Sequence, residues 1–301
     1  MDAETARLAA DGGADFRRGV YRAADSEAID SFDQIDNAVR KIENLDGPAN
    51  HRAKLLVYDT DGPGVKLVDE LDSTDLRTLF KSVESRDTLA RLSRQFDDGT
   101  VESRHLDEIT DLLDSGDMDS ADLGRFSEML DQRKSDPLID DSIGADDLLA
   151  TASKSDLSDS LGVIKRGERI HTIPEGDVEA GWNHIKSRHI DGDYKLDQKD
   201  STSFFPAGQT VKGKELPDGL SERKVQEMVA DAIKHGDETV TGSRIEYYFE
   251  PTDGYSNSGV NNMKVIVDDG TVKTAFPISG EKVYKWVPDL NDGNGVLSHH
   301  D

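Results

Sequence analysis

Residues 181–193, GWNHIKSRHIDGD, bring together side chains that are suited to acid–base chemistry on a phosphate ester. His184 and His189 lie five residues apart, with Lys186 and Arg188 between them. An imidazole, with a reference pKa of about 6.5, can accept or donate a proton near neutral pH, and a guanidinium can hold a phosphate through two parallel hydrogen bonds. These residue types suit cleavage of RNA without metal. In that reaction a base takes the 2′-hydroxyl proton, an acid protonates the departing 5′-oxygen, and a cation stabilises the charge on phosphorus.

The spacing of these residues constrains how a helix could present them. On a regular α-helix, five residues place the two imidazoles about 140° apart around the axis. This angle is too wide for both to bind one metal ion, for which helical histidine pairs use a spacing of four. His184 and Arg188 share a face, whereas His189 continues the apolar stripe of Trp182 and Ile185. We expect the helix to end at His189, before IDGD, and to leave both imidazoles facing a common cleft.

Other basic and aromatic side chains could bind the substrate. A lone histidine beside an apolar stripe is usually a packing residue, and a histidine at a helix end often only interacts with the helix dipole. Here the neighbouring cations favour a site. The basic residues around the two histidines are His171, Lys186, Arg188, Lys195, Lys199, Lys212 and Lys214. We predict that Lys186 and Lys212 contact the substrate and that Tyr248, on a predicted strand, stacks on a base.

The first half of the chain is predicted to be helical. Three segments place apolar residues at helical spacing: 72–83 with a cap at Ser73 or Thr74, 102–116 ending at Gly116, and 119–132. Their apolar positions are Leu76, Leu79, Phe80 and Val83; Leu106, Ile109, Leu112 and Leu113; and Leu123, Phe126, Met129 and Leu130. Residues 54–58 and 65–68 are β-rich and are predicted to form a hairpin or an irregular loop.

The second half is predicted to be α+β. SERKVQEMVADAIKHG has the pattern of a helix that begins after Ser221 and stops at Gly236. Four β-rich runs follow: SRIEYYFEP, MKVIVDDG, TVKTAFPI and KVYKWVP. VDDGTV is a hairpin signal between two of them. The sequence therefore predicts one or two helices packed on a four-stranded antiparallel sheet.

Composition divides the chain into three parts. We predict a helical, acidic N-terminal domain of residues 1–133, a linker of residues 134–160 that is rich in Pro, Ser and Asp, and an α+β domain of residues 161–301. A short helix is expected within the linker, at 145–153.

The overall charge limits the kinds of partner. The chain has 62 acidic and 36 basic residues and a formal net charge of -26, which repels polyanions and is typical of halophilic proteins. There is no cysteine, which excludes disulfides and thiolate nucleophiles. No apolar run is long enough to span a membrane, and the N-terminus lacks the pattern of a signal peptide. We expect a soluble protein that is secreted or delivered without a signal peptide, or otherwise cytoplasmic.

Several short motifs in residues 165–290 carry a family resemblance. W-x-H-I-x-x-R-H, then STSFF, a helix and KVIVDDGTVKTAFPI resemble the C-terminal toxin domains of the barnase–EndoU–colicin–RelE-like nuclease superfamily, which occur in polymorphic toxins. The resemblance implies a metal-independent endoribonuclease that uses His184, His189 and Arg188, with Ser203 and Thr274 orienting the phosphate. It also implies no cofactor, a cognate immunity protein as partner, and a pre-toxin or delivery role for residues 1–133.

Two other readings stay open. One is a metal-dependent nuclease in which His184 and His189 act with Asp191 or Asp193. The other is a non-catalytic protein-interaction module with structural histidines. The sequence identifies neither the RNA target nor the oligomeric state.

Overall fold

The computed structural model describes residues 1–194, 196, 201–288 and 295–300. The chain forms two compact units, one of residues 1–132 and 144–158 and the other of residues 133–143 and 159–301. The predicted linker, 134–160, is therefore divided between the two units and is not a single connecting segment.

The first unit is helical, and the structure describes all of its residues. Its α-helices α1 to α10 span Ala3–Asp11, Ala14–Ala24, Phe32–Glu43, Gly47–Thr60, Gly62–Glu70, Ser73–Ser82, Arg86–Asp97, Ser103–Ser115, Ser120–Gln132 and Ala145–Ala152. The stripes predicted for α6, α8 and α9 are buried as expected, and α8 ends at Gly116 with a φ of 81°. A helix was also expected where α10 lies. Amphipathic periodicity therefore identified these elements correctly.

Two local predictions in this unit are wrong. Residues 54–58 and 65–68 lie in α4 and α5, not in strands. Both helices carry a proline within their first two residues, where the fixed φ of proline favours helix initiation, and this start signal outweighs the β-propensity that follows. The cap of α6 is Asp72, whose carboxylate accepts hydrogen bonds from the backbone amides of Thr74 and Asp75.

The second unit is mainly β. Its strands β1 to β11 span Ser160–Arg166, Arg169–Pro174, Thr202–Phe204, Thr210–Val211, Lys214–Glu215, Asp237–Thr241, Arg244–Phe249, Asn262–Asp268, Thr271–Ser279, Tyr284–Val287 and Val296–His299. Its helices are α11 at Trp182–Ile185, a π-helix at Lys186–Ile190, α12 at Glu222–His235 and a 3₁₀ turn at Asp253–Tyr255. Within the described residues, six strands form a mixed sheet in the order β1-β2-β9-β8-β7-β6, in which β2 and β9 run parallel.

The predicted four-stranded antiparallel sheet is therefore wrong, although the unit does combine helices and strands. Three of the four predicted runs became β7, β8 and β9, whereas β10 lies in a separate sheet of order β11-β10-β3. Strands β1 and β2 were missed; β1 begins at the boundary of the predicted linker, and β2 follows it after a short turn. Strand β6 is exposed at every residue, so it has no alternation to detect. The parallel β2–β9 pairing joins distant segments, which local patterns cannot specify.

The core of the larger sheet is covered by α12, as its pattern predicts. Ser221 caps this helix by accepting a hydrogen bond from the backbone amide of Lys224. Its buried side chains include Val225, Met228, Val229 and Ile233, which belong to the main apolar cluster of the unit. Gly236 follows with a φ of -66°, so it is not a left-handed cap. A Cβ there would lie 2.6 Å from the Ala232 carbonyl oxygen, which explains the glycine.

The smaller sheet has its own apolar cluster. Phe204, Val211, Leu216 and Trp286 are buried together with Leu196. The indole Nε1 of Trp286 donates a 2.7 Å hydrogen bond to the Leu196 carbonyl oxygen, which fixes β10 in place. None of the described helices is both long and apolar enough to span a membrane.

Candidate active site

A pocket of about 310 Å³ in the second unit collects the predicted catalytic residues. Its described lining residues are His184, Arg188, His189, Ser201, Ser203, Thr274, Phe276 and Lys285. All five residues predicted to be catalytic are among them. His184 comes from α11, Arg188 and His189 from the π-helix that follows it, Ser203 from β3 and Thr274 from β9.

The π-helix explains how the two histidines meet. Residues 186–190 close an i→i+5 hydrogen bond, with the Asp191 amide 2.7 Å from the Lys186 carbonyl oxygen. This adds one residue to the turn, so side chains five apart come onto one face. The imidazole centroids of His184 and His189 lie 5.8 Å apart. The separation of about 140° expected for a regular α-helix is therefore wrong here.

A β-bulge sets the orientation of Thr274. On β9, Val272 pairs with Val267 and Thr274 pairs with Ile266, so Lys273 is an extra residue. The bulge shifts the alternation: Val272 and Ala275 are buried in the main core, and Thr274 turns to the pocket. The Lys273 carbonyl oxygen also accepts a 3.0 Å hydrogen bond from the Gly181 amide. The bulge therefore holds the start of α11 against the strand that carries Thr274.

Strands β3 and β10 form another wall of the pocket. Ser203 pairs directly with Lys285, so their side chains lie side by side on one face. The flanking residues Phe204 and Trp286 point to the small apolar cluster on the opposite face. The alternation of each strand thus sends its polar residue into the pocket and its aromatic residue into a core.

The hydrogen bonds of the two histidines fix their tautomers. The Nδ1 atom of His184 lies 2.7 Å from the Val178 carbonyl oxygen, and that of His189 lies 2.8 Å from the Ser203 carbonyl oxygen. Because a carbonyl oxygen only accepts, each Nδ1 must carry the hydrogen. In the neutral ring, the proton-accepting nitrogen is then Nε2. Such a bond from Nδ1 to a backbone carbonyl orients an imidazole for acid–base work.

His189 is kept neutral by its surroundings. Burial lowers the pKa of His189 to about 3, since the folded protein cannot solvate the imidazolium, while the bond to the Ser203 carbonyl acts in the opposite direction. The nearby His184 and Arg188 lower this pKa further. The Phe276 ring, whose centroid is 5.5 Å from that of His189, forms part of the apolar cover. At pH 7 the imidazole of His189 is therefore neutral.

Some hydrogen-bond donors of the pocket residues have no acceptor. The buried Arg188 Nε and Thr274 Oγ1 have no hydrogen-bond partner among the residues that the structure describes. No Asp or Glu occurs among the described lining residues, although the chain has 62 acidic residues. Buried donors without partners are costly, and a bound anion would satisfy them. The pocket is therefore suited to an oxyanion.

The three predicted substrate-binding residues lie outside this lining. Lys186 forms a 2.6 Å ion pair with Glu222, and the Lys212 ammonium lies 5.5 Å from the centroid of the Trp286 ring. Tyr248 lines a different cavity, beside α12. His171 is buried elsewhere, 2.9 Å from the Tyr247 hydroxyl through Nε2. Lys195 and Lys199 fall outside the described residues.

Sequence reasoning missed Ser201, Phe276 and Lys285. Lys285 could have been found from the sequence YKW. On a strand, the two aromatic residues lie on one face and the lysine between them lies on the other face. Phe276 could have been found in the same way, because it is two residues from Thr274 on β9 and residues two apart on a strand share a face. Ser201 precedes a short strand and had no signal.

No cluster of three or more His, Asp or Glu side chains that could hold a metal ion occurs in the described part of the chain. Comparisons of the chain with protein-family models, with curated proteins and with solved structures found no match. The site must therefore be interpreted from its own chemistry.

Proposed function

We propose that this chain is a metal-independent endoribonuclease and that its second unit carries the active site. The observation that supports this proposal most strongly is the convergence of two imidazoles, Arg188 and three hydroxyl side chains in one pocket without a described carboxylate in its lining. The residue types match the needs of RNA cleavage through a 2′,3′-cyclic phosphate: a base, an acid and fixed positive charge.

The tautomers make Nε2 the reacting atom of both rings, and the burial of His189 favours this ring as the base. His189, neutral at pH 7, takes the 2′-hydroxyl proton on Nε2 as the 2′-oxygen attacks phosphorus. His184, in its protonated form, gives a proton to the 5′-oxygen as the bond from phosphorus to that oxygen breaks. One proton is taken and one is given, so the step balances. The anionic phosphodiester raises the pKa of the nearby His189 and makes it a stronger base than in the free protein.

The remaining groups act on the phosphate. Arg188 donates to its oxygens and stabilises the additional charge of the transition state. Thr274 and Ser203 orient the same group through their hydroxyls. The pocket volume is at the small end of ligand sites, so it fits one sugar–phosphate unit and leaves most of the RNA outside.

The proposal includes a toxic role and an inhibitor. Such an endoribonuclease would degrade the RNA of the cell that makes it, and a cognate immunity protein that covers the pocket would prevent this. The acidic surface disfavours RNA at low salt, and salt screens this repulsion within about 3 Å at 1 M ionic strength.

The test is RNA degradation by the purified chain at high salt in the presence of EDTA. The proposal predicts cleavage that persists in EDTA. Loss of cleavage in EDTA would instead support the metal-dependent enzyme with Asp191 or Asp193. Absence of cleavage under all conditions would support the non-catalytic interaction module.

A further inference from the structure

We propose that Lys285 is a phosphate ligand of the pocket and acts with Arg188 as a second cation. This inference rests on the proposed function for the identity of the substrate, an RNA phosphodiester. Lys285 is not among the residues predicted from the histidine cluster or from the family resemblance. The inference also predicts a property that can be measured without RNA, which is the binding of a simple oxyanion.

The position of Lys285 follows from its strand. On β10 the neighbouring Trp286 is buried and donates a hydrogen bond to the Leu196 carbonyl oxygen at 2.7 Å. Tyr284 packs against the same apolar cluster. Because successive side chains on a strand point to opposite faces, Lys285 must project to the other face, where the pocket lies.

The register of β10 fixes Lys285 relative to the histidines. Lys285 pairs with Ser203, and the Ser203 carbonyl oxygen accepts the Nδ1 hydrogen of His189. Ser203 therefore contacts His189 through its carbonyl oxygen and lies beside Lys285 in the sheet. A cation held by such a pairing is placed more reproducibly than one on a loop.

The charge environment of Lys285 differs from that of Lys264 and Lys186. Lys264 pairs with Glu246 at 2.9 Å and Lys186 pairs with Glu222 at 2.6 Å. The hydrogen bonds and ion pairs of the described residues include none to the Lys285 ammonium. A partly buried cation without a counter-ion in its pocket points to an anionic ligand.

Lys285, Arg188 and Thr274 line the same pocket, and each carries a hydrogen-bond donor. The Arg188 Nε and Thr274 Oγ1 atoms are buried and have no hydrogen-bond partner among the described residues. A phosphate has enough oxygens to accept from all three, and charge-assisted bonds of this kind are about twice as strong as neutral ones. A phosphodiester keeps two of these oxygens free of ester bonds, so the shared chemistry is that of a phosphoryl group.

Phosphate binding to the whole purified chain tests this inference directly. We would titrate inorganic phosphate by calorimetry at constant ionic strength into the wild type, Lys285→Met, Lys285→Arg and the control Lys214→Met. Lys214 lies exposed on β5, outside the pocket lining, and its replacement changes the net charge equally. Trp fluorescence monitors folding, since Trp182 and Trp286 both belong to the second unit.

We expect Lys285→Met to weaken phosphate binding about 10- to 100-fold, the effect of one charged hydrogen bond. Lys285→Arg should stay within about 10-fold of the wild type, and Lys214→Met within about 3-fold. Equal phosphate affinity in wild type and Lys285→Met overturns the inference, as does an absence of phosphate binding by the wild type. If Lys285→Met does not fold, Lys285→Gln replaces it in the same comparison.

RNA cleavage separates this inference from the proposed function. For a true phosphate contact, Lys285→Met should reduce the salt slope of log kcat/KM by about 0.7. Phosphate binding that depends on Lys285, in a chain that cleaves no RNA, would support the inference and contradict the nuclease. RNA cleavage that is identical in wild type and Lys285→Met would support the nuclease and contradict the inference.

Discussion

The helices of the first unit and the pocket of the second unit are built by contrasting rules. In α8, apolar residues recur at regular helical spacing, all are buried, and the helix ends at a left-handed glycine. In the pocket, the segments that carry His184, His189 and Thr274 each contain one residue more than the regular element allows. In the first unit, the regular helical repeat buries apolar side chains. In the pocket, an extra residue in a helix or strand turns polar side chains toward the site.

This difference teaches how polar side chains reach a shared cavity. A regular helix would separate the two imidazoles, and a regular β9 would turn Thr274 into the core occupied by Val272 and Ala275. Each extra residue changes the face of the helix or strand on which the following side chains lie. Such π-helices and β-bulges are frequent next to functional sites for this reason.

The largest effect should come from replacing the histidines. Asn keeps a donor in the position of Nδ1 but lacks Nε2, so His184→Asn and His189→Asn should each lower the RNA cleavage rate about 10²- to 10⁴-fold. Stability should stay within about 2 kcal/mol of the wild type, because the bonds to the Val178 and Ser203 carbonyls are retained. The measurement is the cleavage rate together with denaturant unfolding.

His105 of the first unit is the matched control. Its Nδ1 accepts a 2.9 Å hydrogen bond from the Glu102 amide at the start of α8, so its role there is structural. His105→Asn should lower the stability of the first unit by about 1 kcal/mol and leave cleavage unchanged. The contrast between the two regions fails if His105→Asn abolishes cleavage or if either pocket variant keeps the full rate.

The pH dependence of stability should come next in size. Burial lowers the pKa of His189 to about 3 and that of His171 to about 4. Between pH 6.5 and these values the unfolded chain binds more protons, so the stability present above pH 6.5 is lost as pH falls. From pH 7 to pH 5 each histidine should remove about 2 kcal/mol from the unfolding free energy of the second unit.

Trp fluorescence during urea unfolding at the two pH values measures this change for the second unit. His189→Asn should remove roughly half of the loss, since it deletes one of the two groups. A second unit that is equally stable at pH 5 and pH 7, with or without His189, would show that the pocket does not exclude the imidazolium.

A smaller effect distinguishes the unpaired hydroxyl of the pocket from a paired one in the helical unit. Thr274→Val removes a buried hydroxyl without a partner, so stability should stay equal or rise by up to about 1 kcal/mol while cleavage falls. Thr110→Val removes a hydroxyl that donates to the Leu106 and Asp107 carbonyls and should cost about 1 kcal/mol. Circular dichroism at 222 nm follows the helical unit, and Trp fluorescence follows the other. If both substitutions change the free energy of unfolding in the same direction, this distinction between the two hydroxyls is wrong.

The smallest effect should come from Lys186. Its ammonium is paired with Glu222 at 2.6 Å outside the pocket lining, so Lys186→Met should change kcat/KM less than about 3-fold. A loss comparable to that of His184→Asn would place the lysine in the substrate path after all.

Much of the fold could be predicted where the pattern is local and periodic. The buried stripe of α12 and its Ser221 cap follow directly from the sequence, as does the turn at Asp269 and Gly270, which both have positive φ. Strand pairings between distant segments could not be predicted in this way. Neither β1 and β2 nor the separation of β10 from the larger sheet has a local signal of sufficient strength.

The composition of the site was easier to predict than its geometry. His184, Arg188 and His189 stood out by residue type, and Thr274 and Ser203 came from the family resemblance. The π-helix could not be predicted, since its extra residue is stabilised by tertiary packing of Ile185 and Ile190 in the core. The YKW pattern predicts that Lys285 and its two aromatic neighbours lie on opposite faces of a strand, but only the pairing of β10 with β3 places Lys285 at the pocket.

The chemical ends of the RNA fragments test the nuclease proposal most directly. Mass spectrometry of RNA incubated with the wild-type chain in EDTA should find 2′,3′-cyclic phosphate and 5′-hydroxyl ends, which arise only when the 2′-oxygen attacks phosphorus. Fragments with 3′-hydroxyl and 5′-phosphate ends, or intact RNA, would contradict the roles given to His184 and His189.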